Sequence, residues 1–144
     1  MPTSEVVSIA AFVVSCFSLG MSFYFNFRDR ANLKVKSTYC PGWADSESYI
    51  AVSAVNAGRR PIVVRMWGGV DEADNWVGTF INQTVNGGRL GEHERFDLKI
   101  TKDDLVAITP DGEVAFVDLW IEDTLGCRYP VVNAKENIKN LRAQ

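Results

Sequence analysis

The single histidine, His93, is the side chain best suited to moving a proton near neutral pH, and it lies in Gly91-Glu92-His93-Glu94-Arg95. General-base or metal duty needs partners within reach, and the local sequence offers only a charged loop ahead of a strand. Asp71, Glu72, Asp74 and Asn75 supply oxygen ligands of the kind calcium takes. Their order lacks the alternating ligands and central glycine of an EF-hand loop, so they read as a solvated acidic turn. The three cysteines show no CxxC or Cys/His zinc spacing. No GxSxG, HExxH, Walker or GxGxxG motif is present. These residues predict a chain that is not an enzyme, with no catalytic residue, no cofactor and no metal.

The remaining candidates are contact residues. Arg59-Arg60 falls on a turn and suits an anionic partner or lipid headgroups, although paired turn arginines are often merely solvated. Cys40 and Cys127 fall at the ends of predicted strands and read as reduced or buried thiols. A bridge between them requires the first and last strands to meet and an oxidising compartment. Asn82-Gln83-Thr84 is a glycosylation sequon, meaningful only in an extracellular eukaryotic setting. Trp43, Trp67, Trp76 and Trp120 read mostly as core. Strict alternation leaves Trp120 and Phe116 opposite Ala115 and Val117, on either the true core face or a docking patch.

From Val6 to Phe27 the chain runs without a charge, about 33 Å as a helix, enough for a ~30 Å hydrocarbon core. Glu5 marks one boundary and Arg28-Asp29-Arg30 the other, with Phe23, Tyr24, Phe25 and Phe27 crowding the second as interfacial rings do. A cleaved signal peptide is disfavoured by the missing basic n-region, the long apolar run and the absent Ala-x-Ala exit. Val13-Val14-Ser15-Cys16 mimics a lipoprotein box, yet cleavage there leaves a long apolar stretch behind it. Basic residues follow the span (Arg28, Arg30, Lys34, Lys36) and none precedes it. The positive-inside rule then predicts a single-pass protein with the C-terminal domain in the cytoplasm.

One face of this helix is made of small residues. Ser4, Ser8, Ala11, Ser15, Ser18 and Ser22 recur at alternating spacings of four and three, a seam of 3.5-residue period. Small residues allow close backbone approach, so Ser8, Ala11, Ser15, Ser18 and Ser22 are expected to contact a second helix. The competing reading is serine bonding its own preceding turn in lipid. The partner is a homo-oligomer or another membrane protein.

The elements beyond residue 30 must carry any further function, and they read as one domain, 31–144, behind an anchor, 1–30. Composition is that of a globular chain, 47% hydrophobic and 23% charged, and its net charge of −3 with no basic stripe excludes a general nucleic-acid binder. Apolar alternation predicts strands with Leu33, Val35, Ser37 and Tyr39 on one face, and Ile50, Val52 and Ala54 on the next. Asn56-Ala57-Gly58-Arg59-Arg60-Pro61 is a turn before Ile62–Trp67, in which Ile62, Val64 and Met66 point inward. Trp76–Val85 is a fourth strand, followed by an Asn86-Gly87-Gly88 hairpin turn. Phe96–Ile100 alternates strictly. Pro110-Asp111-Gly112 precedes Val114–Glu122, with Ala115, Val117, Leu119 and Ile121 sharing a face, and Thr124-Leu125-Gly126 leads into Cys127–Val132. Asn137–Arg142 suits a short C-terminal helix. Some seven short strands predict a mainly β fold, an N-terminal transmembrane helix followed by an immunoglobulin-like antiparallel β-sandwich.

The run Val55–Ile62, together with Val117-Asp118-Leu119 and Asp123–Tyr129, resembles small bacterial and prophage-encoded membrane proteins of unassigned function. These pair an N-terminal membrane helix with an immunoglobulin-like domain, and the resemblance implies that fold and a prokaryotic or phage origin, with a bacterial inner membrane favoured. It implies no active-site residue. The expected function is a membrane-anchored interaction module assembling through its helix. The alternative is a structural subunit of a virion membrane or a pilin-like filament, suggested by the helix-then-sandwich plan and by Glu5 ahead of the apolar run.

Overall fold

Two hydrophobic periods divide the chain, one helical and one alternating, and the computed structural model follows that division. It describes residues 3–44, 46–81 and 88–143, with Phe27 and Arg28 described by their backbone only. The chain separates into the units Met1–Arg30 and Ala31–Gln144. The first unit is α1 (Thr3–Arg28), closed by the Asp29 amide donating to the Phe25 carbonyl at 2.9 Å. Within Thr3–Asn26 its most apolar 18-residue window has a mean hydropathy of 2.1, and none of that window is buried. A helix of that length and composition is able to cross a bilayer.

The second unit is mainly β. Its strands are β1 (Leu33–Cys40), β2 (Tyr49–Asn56), β3 (Ile62–Val70), β4 (Trp76–Phe80) and β5 (Arg89–Leu90). They continue as β6 (Arg95–Ile100), β7 (Val106–Thr109), β8 (Gly112–Ala115), β9 (Asp118–Asp123) and β10 (Arg128–Pro130), before α2 (Ala134–Arg142). One antiparallel sheet has the order β1-β2-β6, and a second runs β10-β9-β3-β4 with β5 also on β3. β7 and β8 form a separate hairpin, turned at Gly112, whose φ of 128° suits a residue without a Cβ.

The alternating residues of both sheets close one core. Leu33, Val35, Ile50, Val52 and Ile100 from the first sheet meet Ile62, Val64, Leu119 and Ile121 from the second. Ala134, Ile138 and Leu141 of α2 complete it. Buried Asn137 donates to the Ser37 hydroxyl at 2.8 Å, and that hydroxyl donates to the Val132 carbonyl at 2.9 Å, tying α2 to β1.

Three strand expectations need correction. Met66 does not belong to the core cluster. The β3–β9 register shifts between Val64 and Met66, an irregularity that leaves Arg65 as an extra residue and reverses the alternation, so Trp67 packs on the core instead. The strand expected over Val114–Glu122 is broken. Phe116 and Val117 leave the ladder, their amides donating to the carbonyls of Leu105 and Val70, and Ala115 is exposed. Phe116 is therefore a core residue, while Trp120 lies on the outer face of β9. Of the fourth expected strand, Trp76–Phe80 is present. Ile81 follows outside the strand, its amide donating to the Arg65 carbonyl at 3.0 Å, while residues 82–85 with the sequon and Asn86-Gly87 of the hairpin turn lie outside the described residues.

Strand registers also give the domain two ends. Leu33 pairs with Asn56, Val55 with Arg95, and Val64 with Asp123. The chain's arrival at Asn32, the turn 57–61, the loop 91–94 and the turn 124–127 therefore share one end, called proximal here. The opposite, distal end collects residues 41–44 and 46–48, the β3–β4 turn and the start of β9.

Candidate functional site

The helix seam sits on an exposed face. The hydroxyls of Ser8, Ser15 and Ser22 donate to the carbonyls of Ser4, Ala11 and Ser18 at 2.9, 2.8 and 3.0 Å. Serine back-bonding of this kind satisfies these hydroxyls within the helix. What remains for Ser8, Ala11, Ser15, Ser18 and Ser22 to offer a second helix is a shallow surface that lets backbones approach.

At the proximal end Asn56 organises the arginine turn. It is fully buried, and its amide donates to the carbonyls of Arg60 at 2.8 Å and Leu90 at 3.1 Å. Its side-chain oxygen accepts from the Gly58 amide at 3.0 Å. The turn is held from the other side by the Ala57 amide donating to Asn32 at 2.7 Å. Arg59 and Arg60 project outward, and Arg59 makes a loose ion pair with Glu92 at 3.7 Å. His93 stands beside them in the 91–94 loop, 3.8 Å from the same carboxylate and largely exposed.

Asp123 plays the matching part in the next turn. Its carboxylate accepts from the Leu125 and Cys127 amides at 2.8 and 2.9 Å and from the Tyr129 hydroxyl at 3.0 Å. Burial pushes the Tyr129 hydroxyl well above the usual phenol range, and the adjacent Asp123 carboxylate adds to the shift. Gly126, at φ 79°, completes the turn and leaves Leu125 84% exposed at its tip.

The outer face of the larger sheet carries a cluster that sequence reasoning left unresolved. Trp120 lies across a trough formed by Gly68 and Gly78, where a Cβ at either position would come within 2.6 Å of the indole. Its Nε1 donates to the Gly69 carbonyl at 3.1 Å. The Arg128 guanidinium sits 4.9 Å from the ring centres of both Trp76 and Trp120, and its Nε donates to Glu122 at 2.7 Å. Trp120 is thus covered while Trp76 stays about half exposed, and Arg65 stacks on exposed Phe80 at 5.1 Å on the same sheet. Tryptophan and arginine dominate binding hot spots because they bury large area while keeping a polar edge. The signal available in the sequence was the glycine spacing around Trp67 and Trp76, which leaves room for a ring from β9.

No protein-family model, curated protein or solved structure matches the chain.

A cleft of about 460 Å³ opens beside Trp76, lined also by Asp71, Glu72, Asp74, Asp118 and Lys135. Asp71 accepts from the Ala73 and Asn75 amides and from the Asn75 side chain. These bonds, the Asn75 side chain foremost, hold its carboxyl below the usual range. Among the described residues no His, Cys, Asp and Glu side chains converge as metal ligands would. On the first sheet Ser53 donates to Asp97 at 2.6 Å, and Arg95 donates to both. Burial opposes ionisation of Asp97, but the Ser53 hydroxyl and Arg95 guanidinium outweigh it and depress its carboxyl.

Cys16, Cys40 and Cys127 are all free thiols. β1 and the segment after β10 do meet, but Lys36 pairs with Val132 in parallel. Cys40 then lies beyond one end of that contact and Cys127 beyond the other, roughly 30 Å apart at strand rise. No disulfide spans that distance.

Proposed function

We propose that this chain is a single-pass, membrane-anchored, non-enzymatic interaction module of prophage or bacterial type, with its domain in the cytoplasm. One observation carries the reading: α1 contains an 18-residue uncharged, apolar window that is fully exposed, whereas the core cluster of the domain, drawn from residues between 33 and 141, includes none of it. A helix surplus to the core needs another apolar solvent, and lipid is the fitting one. Orientation follows from Arg28, Arg30, Lys34 and Lys36, all on the domain side of the span. An immunoglobulin-like sandwich is supported by the strand order. Lettered in chain order, β1-β2-β6 corresponds to A-B-E and β10-β9-β3-β4 to G-F-C-C′. The seam Ser8, Ala11, Ser15, Ser18 and Ser22 would pair helices, and the Trp76, Phe80 and Arg65 face would receive a protein partner.

The test is expression in a bacterial host with fractionation and thiol labelling. The chain should stay with membranes through an alkaline wash, and Cys40 and Cys127 should resist a membrane-impermeant maleimide until the cells are lysed. Detergent extracts should yield a defined complex on cross-linking. Release by alkali overturns the anchor, labelling in intact cells overturns the sidedness, and a bare monomer overturns the interaction role.

A further inference from the structure

The charges of the domain are sorted along its strands. At the proximal end Lys34, Arg59, Arg60, Arg89 and Arg95 are exposed, against Glu92, Glu94, Asp97 and the buried Asp123, while Arg128 and Glu122 pair with each other. Arg95 and Asp97 neutralise one another at 2.6 Å, and cations remain in excess. Arg28 and Arg30 lie just before this end in the chain. The distal end is acidic, with Glu47, Asp71, Glu72, Asp74, Asp103, Asp104 and Asp118 outnumbering Lys99, Lys102, Lys135 and Arg142. A chain of net charge −3 is thus basic where it joins its anchor segment and acidic at its other end. The two ends are separated by the eight residues of β1, roughly 25 Å. That exceeds the ~10 Å Debye length at 0.1 M salt, so each end responds to its own surroundings.

We propose that the proximal end docks on an anionic bilayer surface through Arg59, Arg60 and the Leu125 tip, so that the acidic end and the Trp76 cleft face the aqueous phase. The inference rests on the membrane-anchored reading above and adds an orienting contact to it. Guanidinium groups pair with phosphate oxygens by paired charge-assisted hydrogen bonds. Arg60 makes no ion pair among the described residues, and Arg59 has only its loose contact to Glu92. Leu125, 84% exposed between Thr124 and Gly126, is an apolar side chain on a rigid turn that the Asp123 hydrogen bonds hold. Attraction at one end and repulsion at the other both favour the same pose. Each arginine near an anionic surface weights the docked state about fivefold, so removing both lowers the docked-to-free ratio on the order of 25-fold.

Native thiols report both ends. Cys127 lies on the proximal turn and Cys40 at the distal end of β1. With Cys16→Ser, and either Cys40→Ser or Cys127→Ser, the full chain carries one fluorophore at the remaining site. It is placed in nanodiscs of phosphatidylcholine, or of phosphatidylcholine with one third phosphatidylglycerol, containing a headgroup nitroxide. Insertion is scored separately, by co-migration with the disc. The expected result is strong quenching at Cys127 on anionic discs, little on zwitterionic discs, loss of it in Arg59→Gln/Arg60→Gln and in 0.5 M salt, and none at Cys40. Equal quenching on both lipids, insensitivity to the arginine pair, or stronger quenching at Cys40 overturns the docking while leaving the anchor intact. Failure to co-migrate with discs overturns both.

Discussion

Asn56 is the residue on which the proximal end turns. Its side chain is fully buried and answers the carbonyls of Arg60 and Leu90 and the amide of Gly58, the last two in a region closed to water. Truncation leaves the Leu90 carbonyl and the Gly58 amide buried without those partners, at a cost of about 3 kcal/mol. Asn56→Ala should therefore lower the urea midpoint of the detergent-solubilised chain, followed by tryptophan fluorescence. An unchanged midpoint would show that the turn is held by backbone contacts alone. The run Asn56-Ala57-Gly58 announces a turn in the sequence, and a turn is there. The burial of Asn56 was not legible, because one of its partners, Leu90, lies far along the chain and is brought near only by pairing with Ile62. Arg59 and Arg60 were legible as exposed turn residues for the converse reason: their exposure is a local property of the turn. The alternatives for the seam serines were both written in their spacing, and in the folded helix three of the hydroxyls take the local one.

At the scale of elements, alternation located β1, β2 and β6 with their inward faces, because each is an uninterrupted ladder. It failed at β3 and at the junction of β8 with β9, where the ladder is interrupted. A bulge at Arg65 moves the inward face from Met66 to Trp67, and a break at Phe116-Val117 separates β8 from β9, so Ala115 is exposed while Leu119 and Ile121 share the core face as expected. Those departures create the outer cluster, in which Trp120 rests on the Gly68 and Gly78 trough beneath Arg128. A methyl group on Gly78 would sit 2.6 Å from Trp120 Cη2. Gly78→Ala should cost about 2 kcal/mol through displacement of the ring, seen as a lower melting temperature and a red-shifted tryptophan emission. A variant that melts and emits like the parent would mean that Trp120 has room to move. The apolar length of α1 is an element-scale property too, and it was fully legible, since hydropathy along a helix needs no information from elsewhere in the chain.

At the scale of the molecule, the parallel contact of Lys36 with Val132 decides the fate of the cysteines, putting Cys40 and Cys127 at opposite ends. Chain purified without reductant should retain both thiols, reacting with maleimide after unfolding and showing no mobility change on a non-reducing gel. A monomeric species that is compacted until reduced would contradict this register. The same registers sort the charges into a basic and an acidic end, which a net charge of −3 conceals. Taken alone, the amino-acid order determined the apolar helix, most strand positions, the turns at 56–61, 110–112 and 124–126 and the short C-terminal helix. Each depends on side chains a few residues apart and on their period. Tertiary structure alone decided which faces are inner after a bulge, which ends gather which charges, that the terminal strands meet in parallel, and that Trp76, Trp120 and Arg128 share one site. Those outcomes depend on the register between segments distant in sequence, and register follows from the energy of the whole packed core rather than from any local pattern.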